Sequence, residues 1–172
     1  EDEHDELAAM NYSHLNYSWN YLSYNTWVYE VNYSLATGGK NGYYFSQYYI
    51  VKDGSIVDCV KEVYGDSMHD GDGGYTSMSW RDGVLFCHEG GIFMISASTM
   101  QAKDIISSDS LCLIDHVTDN YIIYHEQDGT MRVFDWYWGK LTETDLCFYT
   151  ENSEQYGTQV ICTASDDRES FF

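Results

Sequence analysis

The chain contains no proline, and lysine and arginine together supply only eight of its 172 residues, against 28 aspartates and glutamates. Without proline, its turns depend on glycine, asparagine, aspartate and serine. The formal net charge of −20 argues against binding to nucleic acid, because the protein has few cations with which to displace counterions from phosphates. The same charge argues against binding to an anionic membrane surface. Cationic partners and divalent metals are compatible with this charge.

Long apolar runs and paired cysteines are also missing. No stretch reaches the ~18 apolar residues that a membrane-spanning helix needs. The five cysteines include no CxxC pair, and most lie in apolar stretches such as 85–87 and 160–162, which is typical of small buried side chains. Their odd number argues against a full disulfide framework, but the sequence is compatible with one or two disulfide bridges.

Aromatic residues are abundant, with 17 tyrosines, seven phenylalanines and five tryptophans. From residue 26 onward they occur with β-branched residues in runs bounded by glycine, asparagine or aspartate, which predicts strands and an all-β protein. Residues 11–24 have a second interpretation, because Leu15, Trp19 and Leu22 have the spacing of a short amphipathic helix. Their asparagine, serine and tyrosine neighbours are poor helix formers, so strand and helix both stay open there.

The charge distribution predicts the domain organisation. Residues 1–7 hold five acidic side chains and are expected to form a solvated acidic tail. Residues 166–172 are expected to form a C-terminal tail. The remainder, 8–165, is predicted to be a single β-rich domain, which is the default for a chain of this length.

A hairpin pattern recurs along the sequence. The four copies are residues 48–57, 82–95, 119–134 and 146–162, with turn glycines Gly54, Gly91, Gly129 and Gly157. The second and third copies keep an Asp, a His and a Glu in register. Each copy predicts two antiparallel strands around a tight glycine turn. A single hairpin is marginal alone, so the copies are expected to stack, either propeller-like or as a β-sandwich.

One copy carries a family resemblance. Phe148-Tyr149-Thr150-Glu151 is similar to the YWTD-type strand of low-density-lipoprotein-receptor-like β-propellers, and residues 82–94 and 121–132 resemble the looser version found in bacterial surface propellers. The resemblance covers roughly 42–162 and implies binding or scaffolding rather than catalysis. Such propellers have more blades than this chain can supply, so a fragment, a small four-bladed version or a sandwich of the same hairpins is implied.

The N-terminal third predicts a contact surface. Residues 8–52 hold thirteen aromatics and only three charged residues. Large neutral aromatic surfaces on proteins are usually covered by a partner, so we expect a homo-oligomer or filament that uses this segment. The expected contact residues are Tyr12, Tyr17, Trp19, Tyr21 and Trp27. The alternative is that the segment completes the core beneath the hairpins.

Two further groups of side chains are candidate ligand sites. Trp136 and Trp138 fall on one face of an extended strand, where they could stack on a glycan or a protein partner or simply pack in the core. Asp66, Asp70 and Asp72 place carboxylates on a glycine-rich loop, which suits Ca²⁺, although a solvated acidic loop has the same composition. No other cofactor is predicted.

These features predict a non-catalytic, exported interaction module, such as a surface, adhesion or filament-forming protein. No nucleophile elbow, HExxH motif or phosphate-binding loop occurs, so no enzyme is predicted. A start at Glu1 and three N-x-Ser sequons fit a processed, secreted or cell-surface protein. The sequon asparagines are Asn11, Asn16 and Asn32. The alternatives are an intracellular acidic inhibitor, such as a toxin-immunity protein or nucleic-acid mimic, and a Ca²⁺-dependent glycan-binding protein.

Overall fold

The computed structural model describes residues 14–34, 44–65, 76–136 and 140–147. These residues form ten β-strands and no helix, which confirms the predicted all-β class. The chain divides into two compact units, Glu1–His69 and Asp70–Phe172, where the sequence predicts one domain over 8–165. The two predicted tails lie outside the described residues. Within these residues there is also no helix of the length and apolarity needed to cross a bilayer.

The first unit contains a four-stranded antiparallel sheet in the order β1-β2-β3-β4. Its strands are β1 (His14–Ser23), β2 (Thr26–Ser34), β3 (Tyr44–Lys52) and β4 (Ser55–Gly65). Asn25, Asp53 and Gly54 form the two hairpin turns with φ of 51°, 50° and 78°, a conformation that Asn, Asp and Gly adopt at least cost. The backbone N–H of Asp53 donates to the Asn25 carbonyl at 2.9 Å, so the two turns lie side by side.

The short N-terminal helix, one of two interpretations of residues 11–24, is wrong for the described part of that segment. His14–Ser23 is a strand, paired with β2 from His14 to Ser23. Tyr17, Trp19 and Tyr21 alternate with asparagine and serine, which is the period of two of a half-polar strand. Cross-strand packing decides between the two spacings, since Trp19 stacks on Tyr29 of β2 with ring centroids 4.4 Å apart.

The central part of one face of the first sheet is buried. Val28 lies opposite Ile50, and Ser46 lies opposite Val63, so these side chains share a face. All four are buried, and Tyr48 on the same face is buried with them. Burial raises the pKa of Tyr48 well above its usual value, and the nearby Glu30 carboxylate raises it further.

The second unit contains a six-stranded antiparallel sheet in which sequential strands are neighbours. Its strands are β5 (Ser77–Trp80), β6 (Gly83–Ser96), β7 (Ala102–Val117), β8 (Tyr121–Glu126), β9 (Thr130–Asp135) and β10 (Lys140–Cys147). Both faces of β8 are buried, because every side chain from Tyr121 to His125 is inaccessible. A continuous apolar run of this kind is typical of a strand that is covered on both sides.

Strand β6 reverses direction in its middle. Phe86 and Phe93 stack with centroids 5.3 Å apart, although a straight strand would hold them far from each other. The Ala97 N–H also donates to the Asp82 carbonyl at 2.6 Å, which joins the two ends of the strand. The turn of this reversal contains Gly90 and Gly91, whose φ angles are 117° and 127°. This confirms the hairpin predicted for residues 82–95.

The third predicted copy, over residues 119–134, corresponds to the hairpin of β8 and β9. Its turn contains Gly129 with φ of 85°. The aligned apolar positions of these two copies are buried in both. The main core cluster of the second unit contains Leu85 and Cys87 from the copy at 82–95 and the aligned Ile122 and Tyr124 from the copy at 119–134. Phe86 and the aligned Ile123 lie outside that cluster, and both are buried, at 0% and 2% exposure. The choice between propeller-like and sandwich stacking, and the propeller resemblance, stay predictions.

Candidate functional site

Aromatic side chains line the second face of the first sheet. The register places Trp19 opposite Tyr29, which lies opposite Tyr49, and it places Phe45 opposite Tyr64. Residues directly opposite each other in antiparallel strands share a face. This surface is called the aromatic face, and its members are Tyr17, Trp19, Tyr21, Trp27, Tyr29, Tyr33, Phe45, Tyr49 and Tyr64.

The rings of the aromatic face contact one another across the strands. Tyr29 lies between Trp19 and Tyr49, with centroid distances of 4.4 and 6.4 Å. Phe45 stacks on Tyr64 at 4.5 Å. These distances are typical of favourable ring pairs. Because the rings already hold each other in place, a partner that binds them has little side-chain entropy left to remove.

Much of the aromatic face is exposed. Tyr17, Tyr21 and Trp19 are 65%, 57% and 53% exposed, and Trp27 is 40% exposed. These are four of the five predicted contact residues, and they lie together on two neighbouring strands. Tyr12, the fifth, lies outside the described residues. A contiguous exposed apolar surface on a folded protein usually marks an interaction site.

An open groove of about 720 Å³ lies at one end of the aromatic face. Its lining residues are Trp19, Asn25, Trp27, Val51, Asp53 and Gly54. Two indole side chains therefore share a groove with one carboxylate and one amide, a combination of apolar surface and few polar groups that is usual in ligand sites. Sequence reasoning missed Asn25 and Asp53. Each follows an aromatic strand in a tight turn, but only the pairing of β2 with β3 brings the two turns together.

The charges on the aromatic face are all acidic in the described part of the sheet. Glu62 lies on this face, opposite Gln47, whose side-chain amide donates to it at 2.8 Å. Asp53 lines the groove. Lys52 and Lys61 are on the buried-face side of the register, opposite Thr26 and Tyr48. The aromatic face thus presents ring surfaces and carboxylates without a compensating cation.

The two edges of the first sheet differ. In the order of the described strands, β1 and β4 are the outer strands. β4 carries Asp58, Lys61 and Glu62, and two register shifts interrupt its pairing with β3. β1 carries no aspartate, glutamate, lysine or arginine, and its register with β2 is regular from His14 to Tyr21. Charges and bulges are devices that protect an edge from pairing with another chain, so β4 carries such protection and the described residues of β1 do not.

The repeated His-Glu pairs of the second unit do not form equivalent sites. His125 is buried, and its Nδ1 lies 2.9 Å from Asp115 Oδ2. His88 is half-buried, its ring packs edge-on against Phe93, and its Nδ1 lies 2.9 Å from the carbonyl of Glu89. Each histidine is held by a local partner. Nowhere in 14–34, 44–65, 76–136 or 140–147 do three His, Cys, Asp or Glu side chains converge as metal ligands would.

Trp136 packs against the core of the second unit. Its ring meets Trp80 edge-on at 4.9 Å, and the Arg81 guanidinium lies 5.5 Å from it and 5.8 Å from Trp80. Trp136 is half-buried in this arrangement. Its predicted partner Trp138 lies outside the described residues, so the proposed stacking pair stays a prediction.

The remaining candidate residues fall in several places. Asn16 is exposed on β1. Asn32 is half-buried, and its Oδ1 accepts a hydrogen bond from the Ser46 hydroxyl at 2.5 Å, so its amide already has a role in the sheet. The candidates that lie outside the described residues are Asn11 and the predicted Ca²⁺ ligands Asp66, Asp70 and Asp72.

Comparisons with protein-family models, curated proteins and solved structures give no match to this chain. The fold and the aromatic face define a class, namely an all-β protein of antiparallel hairpins with an ordered aromatic surface on its first sheet. Because one architecture hosts many unrelated functions, function has to be argued from the chemistry of its surfaces.

Proposed function

We propose that this chain is a non-catalytic interaction module that assembles with further copies of itself through β1. The observation that carries the proposal is the contrast between the protected edge β4 and the unprotected edge β1. The setting that we propose is the cell surface or the extracellular space, with the cytoplasm as the alternative.

In the proposed assembly, backbone hydrogen bonds between the β1 strands of two copies would form the contact. An edge strand offers a row of N–H and C=O groups, and a second copy of β1 can pair with it across a twofold axis. The full chain carries a charge of −20, which opposes association, but β1 itself contains no aspartate, glutamate, lysine or arginine that adds to that repulsion. The one charged residue of β2 is Glu30, which accepts a hydrogen bond from the Ser18 hydroxyl at 2.7 Å.

Such pairing would also extend the aromatic face. Tyr17, Trp19 and Tyr21 of one copy would lie on the same sheet surface as their equivalents in the other. Tyrosine and tryptophan give a large contact area while their polar atoms stay hydrogen-bonded, which is why both are enriched in interfaces. A longer array needs a second contact, and the enlarged aromatic face is the surface that could provide it.

The test compares two variants, each of which adds one lysine to one of the two edge strands. Tyr17→Lys places a lysine on β1, and Val57→Lys places one on β4, at side chains of similar exposure. We expect sedimentation equilibrium to give a mass for the wild type that rises with concentration above the monomer value of 19.9 kDa. Tyr17→Lys should remain monomeric, because a lysine on an edge strand opposes pairing. Val57→Lys should behave like the wild type.

Two results would contradict this proposal. One is a wild-type protein that stays at the monomer mass over the whole concentration range. The other is equal loss of assembly in both lysine variants, which would mean that added positive charge, rather than the β1 edge, controls association. Circular dichroism of each variant verifies that the sheet is retained.

A further inference from the structure

The groove at the end of the aromatic face has the composition of a site for an organic cation. Trp19 and Trp27 lie diagonally across the β1–β2 pair, and both line the groove with Val51. Tyr29 stacks on Trp19, and Tyr21 meets Trp27 edge-on at 5.2 Å, so each indole is supported by a second ring. The indoles are therefore held in place before any ligand arrives.

The charge of the groove is negative. Among the described residues that line it, Asp53 is the only charged one, and the hydrogen bond from its backbone N–H to the Asn25 carbonyl fixes the turn that carries it. The lysines in the described strands of the first sheet, Lys52 and Lys61, are placed by the register toward the opposite face. A cation in the groove would meet ring faces, whose quadrupoles attract positive charge, together with one carboxylate.

We propose that this groove binds a quaternary ammonium group, such as a trimethylammonium headgroup. A primary ammonium would need acceptors for three N–H groups, and the described lining residues supply only the Asp53 carboxylate and the Asn25 amide oxygen as side-chain acceptors. A quaternary ammonium has no N–H group, and its methyl groups can contact Trp19, Trp27 and Val51. Aromatic cages with a nearby negative charge are the usual means of recognising this chemistry.

This inference is independent of assembly through β1. It concerns side chains on the aromatic face, whereas pairing uses the backbone edge of the strand. The titration is performed at the lowest protein concentration used in sedimentation, where pairs are dissociated. Loss of one property therefore leaves the other measurable.

The experiment compares choline with its neutral isostere 3,3-dimethylbutan-1-ol and with n-butylammonium, by tryptophan fluorescence and calorimetry. We expect choline to bind most tightly of the three. Trp19→Ala and Trp27→Ala should each weaken binding about 2- to 30-fold, as expected for loss of a cation–π contact. Asp53→Asn should weaken choline binding while leaving the isostere unaffected.

Matched controls isolate the groove. Asp58→Asn removes an exposed carboxylate on the opposite face of the sheet, and Tyr24→Ala removes an exposed ring that does not line the groove. Both should bind choline like the wild type. Equal affinity for choline and the isostere, equal or tighter binding of n-butylammonium, or equal effects of Asp53→Asn and Asp58→Asn would each overturn the proposal.

Discussion

Strand β8 of the second sheet and strand β1 of the first use tyrosine in opposite ways. Tyr121 and Tyr124 of β8 are fully buried, whereas Tyr17 and Tyr21 of β1 are more than half exposed. The neighbours in sequence account for the difference. β8 has apolar residues on both faces, as in Tyr-Ile-Ile-Tyr, and β1 alternates its rings with asparagine and serine. A continuous apolar run favours a strand covered on both sides, and an alternating one favours a single covered face.

Truncation of core side chains in the second sheet should have the largest effect on stability. Phe86→Ala is expected to cost about 3–5 kcal/mol and Ile123→Ala about 2–5 kcal/mol, because both side chains are buried. Tyr21→Ala in the first sheet should cost less than about 1.5 kcal/mol, the upper value for one aromatic pair. Urea unfolding followed by circular dichroism measures all three. A Tyr21→Ala penalty as large as that of Phe86→Ala would break the comparison.

Glycine substitutions should give the second-largest difference in stability between the two sheets. Gly91 has φ of 127°, and a Cβ atom on it would collide with the backbone carbonyl of Ile106. Gly91→Ala should therefore destabilise the second unit by about 3 kcal/mol or more. Gly54 has φ of 78° with open space around it, so Gly54→Ala should cost only about 1–2 kcal/mol of backbone strain. If thermal unfolding gave similar losses of stability for Gly91→Ala and Gly54→Ala, β6 would not need its tight reversal.

The smallest expected difference between the two sheets is in the reactivity of their cysteine thiols. It involves no change in the stability of the protein. Burial raises the pKa of Cys112 to about 11 and raises that of Cys87 further, so at pH 8 both stay protonated and unreactive. Cys59 is exposed, and although desolvation also raises its pKa, reagents can reach it. Cys59→Ser should remove one fast-reacting thiol from the native protein in a disulfide-exchange assay.

The control for the thiol assay is Cys87→Ser. That variant should leave the fast phase unchanged in the folded protein and remove one thiol only after denaturation. A fast phase that survives in Cys59→Ser with the same amplitude would contradict the assigned exposure. The total thiol count after denaturation also bears on location, since the cytoplasm keeps cysteines reduced.

Local patterns predicted most of the secondary structure. The glycines at 54, 91 and 129 mark turns because positive φ is required there, and a residue that supplies it can be recognised without tertiary information. The aligned burial of Phe86 and Ile123 follows from the repeat itself. The pattern around Leu15, Trp19 and Leu22 was compatible with both strand and helix, because a short segment can satisfy either period. Pairing with β2 removed that ambiguity.

The sequence by itself determined the class of the protein, its hairpins, its strongly acidic character and the concentration of exposed aromatics near its N-terminus. Tertiary structure alone decided which residues meet. Trp19, Asn25 and Asp53 line one groove only because β2 pairs with β3 and brings two turns together. The register also decided that Lys52 and Lys61 of the first sheet fall on the opposite face from the rings. Both outcomes depend on pairing between strands that are distant in sequence, which composition and local periodicity do not specify.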